Sequence, residues 1–213
     1  MIPAVQRQVL LKARPAGIPQ AEHFEIVDRP VVEPGEGQIV VRNHYLSVEP
    51  AMRGWVSSVG NYAEPVPIGG VMRAFAVGRI VASRSEAYAV GDVVTGLFGW
   101  QEVAVVDASL VQRRITEPGL PMSTALGVLG LNGLTVYGVA GLTAYFGLLE
   151  VGQPKAGETV AVSTAAGAVG SCVGQIAKIL GCRTVGIAGG PRKIALCRAE
   201  FGYDEAIDYQ AGN

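Results

Sequence analysis

Short runs of β-branched residues separated by turn sequences dominate the first half of the chain. The clearest are QIVVRNHYLSV, VGRIVAS and QEVAVV, at residues 38–48, 77–83 and 101–106. Turn signals such as EPGEG at 33–37 bound them. Many short strands punctuated in this way are typical of a small β-barrel or sandwich. We therefore predict an all-β first domain, without a helical period before about Ser123.

The second half changes to a βαβαβ pattern. Apolar strands are predicted at residues 159–163, 183–188 and 205–209, with helical spacing of apolar residues between them. Gly181 stands where a C-terminal cap would, and Pro191 where a first helical turn favours proline. This order is half of a doubly wound parallel sheet of the Rossmann type. We predict two domains, with bounds at 1–124 and 125–213.

Composition and charge exclude several function classes. The 213 residues carry a net charge of −1 and no clustered basic surface, so nucleic-acid binding is not expected. The chain has three cysteines, an odd number without a CxxC spacing, which suits a reducing compartment. We expect a cytoplasmic protein without a signal peptide. Two histidines and the lack of a Cys/His/carboxylate cluster predict no metal site.

One uncharged stretch has the length of a membrane span. Residues 125–149 are apolar enough to cross a bilayer, but they contain six glycines, an asparagine and two threonines. We expect a buried helix or helix pair here, and no association with a membrane.

The loop VSTAAGAVGS (residues 162–171) is the first candidate site. A strand, a turn and a helix N-terminus direct backbone N–H groups at an anion such as pyrophosphate. Gly167 would permit close backbone approach, and Gly170 close packing of the helix on the sheet. Thr164 replaces the first glycine of the three-glycine fingerprint, so the motif alone leaves a plain strand-to-helix turn open.

The end of the second strand favours a particular cofactor. An NAD site carries Asp or Glu there, about 20 residues past the loop, to bind the ribose hydroxyls. This strand ends in AGGPRK (residues 188–193), which has no carboxylate. Arg192 and Lys193 offer two cations to a 2′-phosphate, although both could be solvated residues of a first helical turn. The helix dipole disfavours cations in that turn, so we predict an NADPH site.

Several longer segments resemble a known family. YLSVEPAMRGWV, STALGVLGLNGLT and GLTAYFGLLEVGQPKAGETVAVSTAAGAVGSCVGQIAKILGCRTVGIAGG are similar to sequences of the zinc-independent medium-chain dehydrogenase/reductases. The nearest group is that of leukotriene B4 12-hydroxydehydrogenase, prostaglandin reductase and NADPH-dependent curcumin reductase. The resemblance implies a GroES-like β-barrel domain followed by a Rossmann domain. It also implies NADPH-dependent reduction of the carbon–carbon double bond of α,β-unsaturated ketones or aldehydes.

The resemblance also implies roles for matching residues. The loop residues Gly167, Ala168, Val169 and Gly170 would contact the pyrophosphate. Lys193 would hold the 2′-phosphate, with Tyr209 beside the adenosine ribose phosphate. A role for Arg192 is inferred from its charge alone.

Substrate contacts are less defined than cofactor contacts. Tyr62, Met52 and Arg53 are candidates to line a pocket for a small enone or enal, although Tyr62 could be a packed loop aromatic and Arg53 a structural ion pair. No Ser–His–Asp or paired-carboxylate constellation is found, and no catalytic residue is assigned. The oligomeric state stays open, with a homodimer as one option.

The sequence departs from the family pattern in two ways. GLTVYG (133–138) and GLTAYFG (141–147) repeat at a spacing of eight, so the nicotinamide-side threonine is either Thr135 or Thr143, of which we assign Thr143. The family's Rossmann domain has a second half, which is not found before residue 213. The alternative to an active reductase is therefore a non-catalytic NADPH-binding or structural remnant.

Overall fold

The computed structural model describes residues 2–59, 63–119, 121–126 and 138–211. They fall into two compact units, one within Met1–Thr135 and the other within Val136–Asn213. The predicted boundary between residues 124 and 125 stays a prediction, because residues 127–137 are outside the described part.

Antiparallel strands form the first unit. A five-stranded sheet has the order β6-β3-β4-β5-β7, and β1 and β2 pair as a separate hairpin. The bounds are β1 Val5–Leu11, β2 Phe24–Pro30, β3 Gln38–Leu46, β4 Ala76–Ser83, β5 Val93–Gly96, β6 Val103–Asp107 and β7 Val111–Ile115. Three of these strands match the predicted runs, and the predicted all-β character of the first domain is confirmed.

Two apolar clusters hold the first unit together. One lies against the five-stranded sheet and includes the fully covered side chains of Ile39, Ile80 and Phe98. The other surrounds Trp55, at the end of the one-turn helix α1 (Met52–Trp55). A helix of four residues is too short to produce a helical period, so the sequence pattern could not show it.

The second unit is a three-stranded parallel sheet with helices. The strands are β8 Thr159–Ser163, β9 Arg183–Ala188 and β10 Glu205–Asp208, in the order β10-β9-β8. The helices are α2 Gly138–Phe146, α3 Ala168–Ile179 and α4 Pro191–Ala199. Their order along the chain confirms the predicted fold class, a β domain followed by part of a Rossmann sheet.

Sequence signals at the helix ends have clear structural counterparts. Pro191 occupies the first turn of α4, as predicted. Gly181 follows the end of α3 with φ +79°, a left-handed conformation that glycine adopts without the steric cost of a Cβ atom. Helix α2 packs against α3 and continues as a π-helical segment over Gly147–Gly152.

The uncharged stretch 125–149 is only partly described. Its described end forms α2, in which Ala144 is buried. Among the residues that the structure describes, no helix has the length and apolar character needed to cross a bilayer. The first copy of the repeat, at 133–138, lies outside the described residues except for the backbone of Gly138, so the choice between Thr135 and Thr143 stays a prediction.

Candidate functional site

The turn between β8 and α3 is closed by a residue in an unusual conformation. Thr164 has φ +53°, in the left-handed region that glycine adopts most easily. Its carbonyl accepts a hydrogen bond from the N–H of Gly167 at 2.8 Å, and the N–H of Ala165 donates to the carbonyl of Ile187 in β9 at 3.1 Å. Thr164 therefore closes the turn in a conformation that glycine adopts most easily. Counted back from Gly167 and Gly170, the G-x-G-x-x-G spacing places Ala165 at the first glycine, so the prediction that Thr164 replaces it is wrong.

Glycine at position 170 is required by the closeness of α3 to this turn. A Cβ atom on Gly170 would lie 2.4 Å from the carbonyl oxygen of Thr164 and 2.9 Å from the Cα of Ala165. Both contacts are with backbone, which cannot move aside as a flexible side chain would. The first turn of α3 is thus held directly against the end of β8, as predicted for Gly170.

At the N-terminus of α3, the first N–H groups have no hydrogen-bond acceptor within the described part of the chain. Gly167 is the N-cap residue, and no side chain caps this helix end. The N–H groups of Ala168, Val169 and Gly170 follow in the first turn, where a helix provides no internal acceptors. Such a set of N–H groups, with the positive end of the helix dipole, suits a phosphate or pyrophosphate oxygen.

A buried tyrosine fixes α3 on the sheet. The hydroxyl of Tyr203 donates to the carbonyl of Gly170 at 2.6 Å. Its ring fills the space that side chains at Gly174 and Gly186 would need, because Cβ atoms there would lie 2.4 and 3.2 Å from ring atoms. Burial raises the pKa of Tyr203 to about 12, so the hydroxyl stays a donor at alkaline pH as well as at neutral pH. Sequence reasoning missed this residue, although the glycines that accommodate it were a signal.

Asp204 follows Tyr203 in the loop between α4 and β10, and it ties this loop to α3 and β9. Its carboxylate accepts from the ammonium of Lys178 at 2.5 Å and from the N–H and hydroxyl of Thr184 at 2.7 and 3.1 Å. The Lys178 ammonium, followed by the Thr184 N–H, lowers the pKa of Asp204 to about 2. The loop between α4 and β10 is therefore anchored on both layers that carry the candidate site.

The turn between β9 and α4 is more open. Gly190, the N-cap of α4, has φ +87°, and of the residues that the structure describes a Cβ on it would meet only Gln210, whose amide oxygen lies 3.8 Å away. Gly189 is covered, because a Cβ there would lie 2.9 Å from atoms of both Tyr209 and Gln210. The structure thus brings Tyr209 to the AGGPRK segment, and its place beside the adenosine ribose phosphate stays a prediction.

Arg192 and Lys193 lie in the first turn of α4, and both are exposed. Neither takes part in an ion pair among the residues that the structure describes. Two cations without an ion-pair partner at the positive end of a helix would be stabilised by an external anion. The residues present therefore fit a 2′-phosphate group at this turn.

The remaining candidates are distributed over both units. Thr143 lies on α2 of the second unit with an exposed side chain. In the first unit, Arg53 is exposed, whereas Met52 is 7% exposed and belongs to the cluster around Trp55. Tyr62 lies outside the described residues. The assignments of all four stay predictions.

Comparisons with known proteins agree with this architecture. A family model described as the N-terminal domain of oxidoreductase matches residues 7–113. A putative NADP-dependent oxidoreductase, YfmJ of Bacillus subtilis, is 44% identical over 210 residues, which are 99% of this chain and 59% of that protein. The NADPH-dependent curcumin reductase of Escherichia coli is 43% identical over 205 residues, 96% of this chain and 57% of that protein.

Among solved structures, the NADPH complex of CurA from Vibrio vulnificus superposes with a TM-score of 0.85 at 42% identity, covering 97% of this chain and 58% of that one. The chain thus spans between 57% and 59% of the length of these relatives. The similarity covers both units and includes the segments that carry the candidate site. The chain therefore belongs to the medium-chain dehydrogenase/reductase family, in the group of curcumin reductase, alkenal reductase and prostaglandin reductase.

Proposed function

We propose that this chain binds NADPH and contributes to the reduction of the carbon–carbon double bond of α,β-unsaturated ketones or aldehydes, without a metal ion. The observation that carries the proposal is the turn after β9. This strand ends without a carboxylate, and Arg192 and Lys193 stand unpaired at the following helix N-terminus among the described residues. A carboxylate at the strand end would favour NAD, whereas cations favour the 2′-phosphate of NADPH.

Different residues would bind different parts of the NADPH molecule. The N–H groups of Ala168, Val169 and Gly170, with Gly167 at the N-cap, would bind the pyrophosphate. Lys193 and Arg192 would bind the 2′-phosphate, and Tyr209, beside Gly189, would lie next to the adenosine ribose. Thr143 would lie on the nicotinamide side. The known cofactors of relatives, among them the CurA of the NADPH complex, support this assignment.

The reaction requires positioning more than side-chain chemistry. Bound NADPH would supply a hydride to the β-carbon of the substrate, and the α-carbon would take a proton from water. Negative charge develops on the carbonyl oxygen, so donors near that oxygen would accelerate the reaction. Met52, Arg53 and Tyr62 are proposed as substrate contacts, and no catalytic residue is assigned.

A turnover assay tests this proposal. The 213-residue chain is mixed with NADPH and 4-phenyl-3-buten-2-one, and the absorbance of the reduced nicotinamide is followed. The saturated ketone 4-phenyl-2-butanone is the matched control, since it lacks the double bond. Consumption of NADPH with the enone alone supports the reductase. Binding of NADPH in calorimetry without consumption would support the alternative, a non-catalytic NADPH-binding remnant. Absence of binding would contradict both the reductase and the NADPH-binding remnant and leave only a structural remnant.

A further inference from the structure

A carboxylate on the neighbouring strand β10 reaches the turn between β9 and α4, where the 2′-phosphate of NADPH is proposed to bind. Asp208 is the last residue of β10, and its Oδ1 atom accepts hydrogen bonds from the N–H of Gly190 at 2.9 Å and from the N–H of Gln210 at 3.0 Å. Gly190 is the N-cap of α4. One carboxylate oxygen thus joins the turn after β9 to the turn after β10.

The charge of Asp208 is not neutralised by the nearby cations. The N–H of Lys193 donates to the carbonyl of Gly190 at 3.1 Å, so the backbone of this cation lies within one turn of the Asp208 contact. Among the described residues, Asp208 forms no ion pair with Arg192 or Lys193. The turn therefore combines two exposed cations with one fixed negative charge.

These opposing charges bear on cofactor choice. We propose that Asp208 is a specificity-determining residue, which holds the Gly190 amide and at the same time repels a phosphate on the ribose. The chain would then distinguish a phosphorylated ribose from an unphosphorylated one less strongly than its two cations alone would allow. This inference rests on the proposed function, because it concerns the turn between β9 and α4 that is proposed to bind NADPH.

The two effects of Asp208 can be separated by substitution. In Asp208→Asn, the side-chain amide oxygen can accept the same two N–H groups, but the negative charge is removed. In Asp208→Ala, both the hydrogen bonds and the charge are lost. If the residue served only to hold the turn, Asp208→Asn would leave nucleotide binding unchanged or weaken it. If its charge sets specificity, the same substitution strengthens binding of a 2′-phosphate.

The experiment compares adenosine 2′,5′-bisphosphate with adenosine 5′-monophosphate, by calorimetry on the 213-residue chain. We expect Asp208→Asn to bind the bisphosphate about three- to tenfold more tightly, since a repulsive charge near the 2′-phosphate is gone. Binding of the monophosphate should change by less than about twofold, because its phosphate is expected at α3. The gain should shrink as the salt concentration rises, because exposed charges are screened.

Glu205→Gln is the matched control. Glu205 begins β10, which Asp208 ends, so the same charge is removed about 10 Å away along the strand. We expect little change in bisphosphate binding for this variant. An unchanged or weakened affinity of Asp208→Asn, or an equal gain in Glu205→Gln, would overturn the inference and leave the proposed function standing. If neither nucleotide bound to the unmodified chain, the inference and the proposed cofactor site would both be wrong.

Discussion

Two turns of the same parallel sheet, both proposed to bind phosphate groups, differ in how they are built. The turn between β8 and α3 is tightly packed, with Thr164 in a left-handed conformation and its carbonyl oxygen 2.4 Å from the position of a Cβ on Gly170. The turn between β9 and α4 leaves space around Gly190 and presents the charged side chains of Arg192 and Lys193. One turn offers backbone groups in a fixed shape, and the other offers charge on exposed side chains.

This difference indicates whether a substitution in each turn would alter ligand binding alone or ligand binding together with stability. In the first turn, the N–H groups are fixed by packing, so a substitution alters binding and stability together. In the second, charge can be altered without disturbing the fold, because the cations are exposed and unpaired among the described residues. Substitutions that weaken pyrophosphate binding at the first turn should therefore also lower the free energy of unfolding. Substitutions at the second turn that change the preference between NADPH and NADH should leave it unchanged.

Gly170→Ala should have the largest effect on the tight turn. Its new Cβ would lie 2.4 Å from a backbone oxygen, so the helix must move away from β8. We expect the free energy of unfolding to fall by about 2–3 kcal/mol, and NADPH binding to be lost with it. Urea denaturation measures the first effect and calorimetry the second.

Gly147→Ala is the matched control for that substitution. Gly147 begins the π-helical segment, and no atom of the described residues beyond its chain neighbours and its own helical backbone lies within 4 Å of a Cβ built there. Replacing glycine by alanine in helical structure should stabilise by up to about 1 kcal/mol. A stability loss in Gly147→Ala equal to that in Gly170→Ala would contradict the packing explanation.

Lys193→Ala should change the open turn without unfolding it. We expect NADPH to bind about tenfold more weakly, equivalent to about 1.4 kcal/mol, with NADH binding and the urea midpoint unchanged. Lys155→Ala removes the same charge ahead of β8, at the opposite end of the sheet, and should leave NADPH binding as it is. Equal weakening of NADPH and NADH by Lys193→Ala would show that this residue does not recognise the 2′-phosphate.

The contribution of Asp204 to the free energy of unfolding should depend on pH. The pKa of Asp204 is about 2 in the folded chain, against about 3.9 when unfolded. Its contribution to stability is therefore complete above about pH 4 and is lost as the pH falls through about 2. The urea midpoint should drop over this window in the unmodified chain and vary less in Asp204→Asn. Parallel curves for the two proteins would contradict this role.

Thr164→Gly should have the smallest effect, and a stabilising one. A left-handed conformation costs a non-glycine residue about 1–2 kcal/mol, and the entropy of glycine in the unfolded chain offsets part of the relief. We expect a net gain of about 0.5–1 kcal/mol in the free energy of unfolding. A clear loss in urea denaturation would mean that the threonine side chain stabilises the tight turn.

Much of the second unit could be predicted because its signals are local. Strands β8 and β9 have the predicted bounds, and Pro191 and Gly181 mark helix ends where expected. The pairing of Tyr203 with Gly170 could not be predicted, since it depends on a contact between residues 33 positions apart. The Asp208 contact with Gly190 was missed for the same reason.

In the first unit, prediction was weaker for physical reasons. Strands β1, β2, β5 and β7 were not predicted. Much of β2 is exposed, so its sequence lacks a continuous apolar face. Neighbours on the sheet, not the strand's own sequence, decide where such strands form. The substrate candidates Met52 and Arg53 stay predictions, because sequence pattern cannot tell a side chain that packs from one that lines a pocket.

The most direct test of the account is calorimetric binding of NADPH and of NADH to the unmodified 213-residue chain. The charges of Arg192 and Lys193, with no carboxylate at the end of β9, predict tighter binding of NADPH. Asp208 should make the preference smaller than two cations alone would give. Equal binding of both cofactors, or tighter binding of NADH, by a folded chain would contradict the assignment of this turn to the 2′-phosphate.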